Sequence, residues 1–205
     1  MRIQYIILLG LSVIMISCSG TISTTKKEYK LAKTSKLESD WVLAPTTGWV
    51  LEKDTLIGSG GPMHWGVIES KKKLAENYEI DLKVNMTKES LFEIMLNIDK
   101  EQYIRTYLYQ IDQNIVIGKG VYHKNSDEYH KRGGPSLFTK TMKLENNKWY
   151  SIKIRVLNNQ LFFSVDNETK LECSIEKSNL SQQGKVGFLT NGEAKITNLK
   201  IKSIQ

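Results

Sequence analysis

The 205-residue chain predicts an all-β domain, a sandwich or barrel of antiparallel strands, and three observations carry that expectation. Short runs of alternating apolar and polar residues succeed one another from residue 48 to residue 201, the period-two pattern of strands that turn one face to a core. Turn residues separate the runs, and no apolar periodicity of normal helix length competes with them. Pro45, Pro62 and Pro135, the only prolines, all fall in turn-like contexts and so remove no ladder donor from a sheet interior.

Taken in order, the expected strands cover residues 48–51, 55–57, 65–69, 78–86, 91–98, 103–109, 115–121 and 137–144. The last third then supplies the strongest hairpin signal, because the runs 149–156 and 161–165 are joined by Asn158-Asn159, a pair suited to the positive φ angles of a two-residue turn. Cys173 alternates with Leu171 and Ile175 as on a buried strand face, and two more runs, 184–190 and 194–201, close the chain. Residues 41–205 are enough for one domain with a sizeable core and too few for two. Trp41, Trp49 and Trp149 lie beside apolar alternation and read as core aromatics, while Trp65 stands at the mouth of the Gly-rich stretch 58–61 and is a candidate sugar platform.

The order of these motifs resembles the concanavalin A-like lectin/glucanase superfamily, both at the C-terminal block and at Gly48-Trp49-Val50-Leu51 with Thr55-Leu56-Ile57-Gly58. Within it the chain is most similar to 3-keto-disaccharide hydrolase domains, which stand beside family 16 glycoside hydrolases. The resemblance selects a two-sheet antiparallel jelly-roll sandwich and implies a carbohydrate ligand or, in the second reading, hydrolase or lyase action on oxidised glycosides. Glu79-Ile80-Asp81-Leu82-Lys83-Val84 carries the first two acids of the family 16 signature Glu-x-Asp-x-x-Glu but has Val84 in the last position. Retaining hydrolysis needs two carboxyl groups about 5–5.5 Å apart, so that mechanism is excluded here. The segment is explained without chemistry by one apolar face, Tyr78, Ile80, Leu82, Val84 and Met86, and a solvated face that holds Glu79 and Asp81.

The binding candidates come from the next hairpin. Phe92, Ile94, Leu96 and Ile98 are expected to face the core, as are Ile104 and Leu108 across a turn at Asp99-Lys100-Glu101. Matching inward with inward puts Glu93, Asn97, Tyr103, Arg105, Tyr107 and Tyr109 together on the outward face of an open sheet. Rings for the C–H faces of sugars, with an Arg fork and a carboxylate for hydroxyls, are the chemistry of a saccharide groove. On this reading Arg105→Ala weakens binding and leaves stability nearly unchanged. The stretch 122–135 is a long polar loop with two of the three histidines, so His123 and His130 join Glu93 as acid/base candidates. His123, Asp127 and His130 match no metal-ligand spacing, and the sequence calls for neither metal nor other cofactor.

Charge and termini set the compartment. Lys and Arg number 29 against 22 Asp and Glu, a net charge of +7 scattered through the chain rather than gathered in a stripe, which disfavours a nucleic-acid partner. Residues 3–16 are almost uninterrupted apolar behind Met1-Arg2, an export signal too short to cross a hydrocarbon core of about 30 Å as a mature helix. Met15-Ile16-Ser17-Cys18 resembles a bacterial lipobox, which implies a signal peptide over 1–17, acylation of Cys18 and a membrane anchor. The Ser-, Thr- and Lys-rich stretch 18–40 reads as a flexible tether. No acidic cluster follows Cys18, which by comparison with other lipoproteins implies an outer-membrane anchor facing the periplasm. The protein partners, if any, are not specified by these features.

Overall fold

The computed structural model describes residues 28–30, 37–43, 48–61, 65–87, 90–123 and 132–205. It is an antiparallel two-sheet jelly-roll sandwich, the predicted class. In chain order the elements are β1 (Tyr29–Lys30), α1 (Leu37–Asp40), β2 (Trp41–Leu43), β3 (Gly48–Glu52), β4 (Thr55–Ser59), β5 (Gly66–Lys73), β6 (Tyr78–Met86), β7 (Leu91–Asp99) and β8 (Gln102–Tyr109). They continue with β9 (Asn114–Tyr122), β10 (Arg132–Gly133), β11 (Ser136–Thr141), β12 (Trp149–Leu157), β13 (Gln160–Val165), β14 (Thr169–Ser174), β15 (Lys185–Thr190) and β16 (Glu193–Ser203). One sheet runs β14-β13-β12-β6-β16-β4-β3 with β1 on β16, and the other runs β10-β9-β8-β7-β15-β5-β2 with β11 on β9.

The alternating runs are why these segments pair as they do. Tyr78, Ile80, Leu82, Val84 and Met86 are all buried and meet Phe92, Ile94, Leu96, Ile104 and Leu108 of the other sheet in the main core. Asn158 and Asn159 adopt φ of 50° and 61° in the β12–β13 turn, as two positive angles in a tight hairpin require. Cys173 is buried as a small apolar residue, and burial raises its thiol above the ordinary value.

Several expectations are corrected. Part of the stretch read as tether belongs to the fold: Tyr29 pairs with Ile201, its hydroxyl accepts a hydrogen bond from Trp41 Nε1 at 2.8 Å, and Leu37 is buried. An aromatic and a leucine placed among Lys, Ser and Thr give no periodicity, so their docking could not be read locally. The strand expected over 137–144 ends at Thr141, and two residues of the polar loop, Arg132 and Gly133, pair with β9 as β10. Trp149, expected in the core, is 43% exposed on the outer face of its sheet, because β12 begins there and alternation places it opposite Asn85. Glu79 is not a solvated residue: it is nearly buried beneath Lys202 at 2.6 Å and Lys153 at 3.4 Å.

Candidate functional site

Register builds the site on the outward face of the second sheet. Glu93 stands opposite Tyr107 on one side and Leu189 on the other, while Met95 stands opposite Arg105 and Gly187. Arg105 in turn faces Gly118 of β9, and Tyr103 faces Gly120. Both glycines make room by lacking a Cβ, which at Gly120 would run into the Tyr103 ring and at Gly118 into the backbone of Pro135 and Ser136.

The face is not the open sheet expected from the sequence. Glu93 is 0% exposed and Arg105 6%, and around them Trp65, Val67, Leu91, Met95, Ile98, Tyr103, Tyr107, Val116, Tyr122 and Leu189 form a second apolar cluster outside the sandwich core. Arg105 Nε and Nη2 donate to the Glu93 carboxylate at 3.0 and 2.8 Å, a two-pronged pairing, and Nη1 donates to the Gly134 carbonyl at 2.7 Å. The guanidinium lies 4.5 Å from the centre of the Tyr107 ring, whose hydroxyl is hydrogen-bonded to Ser136 at 3.0 Å. Gly133 has φ of 86° and Gly134 of 151°, angles that glycine adopts without strain and that bring the Gly134 carbonyl to the guanidinium. Burial alone would lower the Arg105 pKa, but the Glu93 charge and its hydrogen bonds carry it above the ordinary value. Burial, and after it the Glu93 charge, push the Tyr103 phenol well above its usual range.

Glu93 and Arg105 therefore hold each other and the Gly134 strap, and both are buried. As the acid/base candidate, Glu93 has both oxygens committed to Arg105. The expectation that Arg105→Ala spares stability falls with the open face. Tyr107 is buried with the pair, whereas Tyr109 packs on the cluster and stays half-buried, and Trp65 lies within the cluster.

Asn97 is not on this face. A bulge between Leu96 and Asp99 puts Asn97 at φ 52°, so its Nδ2 donates to the Ser181 and Gln182 carbonyls at 2.9 and 3.1 Å and its Oδ1 accepts from Tyr78 Oη at 3.1 Å. The same extra residue turns Ile98, expected in the main core, into the outer cluster. His123 sits at the end of the sheet with Nδ1 2.8 Å from Glu101, away from Glu93 in register. Cys18, Asp127 and His130 lie outside the described residues. Sequence reasoning missed Glu69, nearly buried on the same outward face with Lys185 Nζ at 3.5 Å. Residues 66–70 of β5 are buried on both faces, so alternation carried no signal there.

A sandwich of this topology, with an aromatic cluster laid on the outside of one sheet, is a lectin-like β-fold, and comparison with solved structures agrees. The chain is similar to carbohydrate-binding module CBM66 from Bacillus subtilis, with a TM-score of 0.64, 11% identity, and coverage of 80% of this chain and 96% of that one. It is similar to a Bacillus subtilis protein of unknown function with a galectin-like fold, at 0.64 and 11%, covering 86% and 94%. A candidate glycosyl hydrolase from Parabacteroides distasonis superposes at 0.58 with 15% identity, covering 87% and 100%. No protein-family model and no curated protein sequence matches the chain. At these identities the likeness defines the fold alone.

Proposed function

We propose that the protein is a noncatalytic saccharide-binding domain on a bacterial lipoprotein. The observation that carries this reading is the gathering of Trp65, Tyr103, Tyr107, Tyr109 and Tyr122 around a buried ion pair on a sheet face that the sandwich core does not need. The pair fixes the Tyr107 ring and the Gly134 strap, and Tyr109, the ring of this group left half-open, offers a stacking surface for the C–H face of a sugar. The named ligand class of the CBM66 module adds support, as a property of that protein. The hydrolase or lyase reading on oxidised glycosides is weaker because Glu93 is sealed by Arg105 and Val84 replaces the third acid of the family 16 signature.

Calorimetric titration of the purified protein with neutral oligosaccharides and with 3-keto-glucosides tests this. The expected result is saturable binding without turnover, weakened about five- to tenfold by Tyr109→Ala with the melting temperature nearly unchanged. Turnover of a 3-keto-glucoside would establish the hydrolase instead, and binding indifferent to Tyr109→Ala would remove the site from this face.

The anchor belongs to the same proposal. Mass spectrometry of membrane-extracted protein is expected to show an acylated peptide beginning at Cys18, and Cys18→Ala is expected to release the domain from the outer membrane. An unmodified product with another N-terminus would exclude the lipid anchor.

A further inference from the structure

We propose a second ligand site, for an acidic saccharide bearing uronate groups, in the groove on the outer face of the opposite sheet. It is independent of the Tyr109 face. Strand register lays two rows across β6, β12, β13 and β14: Glu79, Arg155, Phe162 and Glu172 in one, and Asp81, Lys153, Ser164 and Lys170 in the next. Neighbouring strands are about 4.8 Å apart, so each row is a transverse track of side chains on one surface.

Phe162 is 40% exposed in the middle of this otherwise polar face, where alternation turns its ring away from the core. It lines a groove of about 550 Å³ together with Lys153, Arg155 and Lys170. Through Lys153 and Asn167 this groove meets a second one of about 430 Å³, which adds Lys83, Lys200 and Lys202. Lys202 and Lys153 are drawn over the nearly buried Glu79, and Lys153 also reaches Asp81 at 3.6 Å, so these carboxylates hold the lysines in place. Burial would raise the Glu79 pKa, but the Lys202 hydrogen bond and the two lysine charges carry it below the ordinary value, and it stays ionised. Arg155 and Lys170 are exposed and make no ion pair among the described residues, so their charge is available to a ligand.

Each part of a uronate sugar finds its counterpart here. The C–H face of the ring stacks on Phe162, the carboxylate takes the planar fork of Arg155, and Lys170 supplies a further positive charge. Ser164, Asn167 and Glu172 line the same groove and serve hydroxyl groups, which a bare anion does not have. Glu172 and Glu28, interspersed among the cations, argue against a phospholipid surface, which needs an unbroken basic patch.

The test is calorimetric titration of the full chain with a short galacturonate oligomer and with a galactose oligomer of equal length. The galacturonate is expected to bind saturably, more weakly as salt rises, and about tenfold more tightly than its neutral counterpart. Phe162→Ala and Arg155→Ala are each expected to weaken it about five- to tenfold, while Tyr109→Ala leaves it unchanged. Equal affinity for the two oligomers, no saturable binding of the acid, or indifference to Phe162→Ala would each overturn the proposal. Tighter binding to phosphatidylglycerol vesicles than to the oligomer would assign the face to a membrane surface. Loss on Tyr109→Ala rather than Phe162→Ala would return the acid to the aromatic face.

Discussion

Glu93→Ala is expected to lower the free energy of unfolding by about 3–5 kcal/mol, measured by urea titration. The substitution leaves the Arg105 guanidinium 6% exposed without the carboxylate that now accepts its Nε and Nη2 protons. An uncompensated buried charge costs more than the pair was worth, so the loss exceeds what deletion of a surface ion pair produces. Glu93→Gln, which keeps the shape and one acceptor, is expected to lose less. The double replacement Glu93→Ala with Arg105→Met removes the orphaned charge and is expected to recover part of the loss, giving the two sites a coupling that a double-mutant cycle reads directly. A loss below about 1 kcal/mol for Glu93→Ala would show that the pair is hydrated and the face open.

Phe188→Ala is expected to cost about 3–5 kcal/mol, for a different reason. Phe188 is fully buried on β15, stacked on Trp41 at 5.4 Å and Phe92 at 6.0 Å, and tilted against Trp49 at 6.2 Å. These partners come from β2, β7 and β3, so the ring ties both sheets together, and its removal leaves a cavity that rigid strands cannot close. The near-ultraviolet circular dichroism of the two tryptophans should weaken with it. An unfolding free energy within about 1 kcal/mol of the parent would mean that the core collapses around the gap.

The two substitutions act on faces that the sequence distinguishes unequally. Along β6 one face is apolar and the other polar, so alternation placed Tyr78, Ile80, Leu82, Val84 and Met86 inside without further information. Along β7 and β8 the same logic put Phe92, Ile94, Leu96, Ile104 and Leu108 in the core and grouped Glu93 with Arg105 and Tyr107. It failed at the level of burial. Strand period tells which residues share a face and nothing of what lies on that face, and here the Tyr103 ring lies over Gly120 while the Gly134 carbonyl comes in from another part of the chain to meet Arg105.

Local chemistry by itself determined the all-β antiparallel class, the Asn158-Asn159 hairpin, the buried Cys173 and the shared face of Glu93, Arg105 and Tyr107 in the β7–β8 hairpin, because each depends on residues close in sequence or on a period of two, whereas the choice of a sandwich over a barrel came from the family resemblance. Only the tertiary structure decided that Asn97 leaves the face at a bulge, that Glu69 joins it from a strand buried on both sides, that Tyr29 is docked on Trp41, and that Phe162 stands in a charged groove. Those outcomes depend on which strands become neighbours and on one extra residue in a ladder, and long-range register is set by the packing of the whole sheet rather than by any run within it.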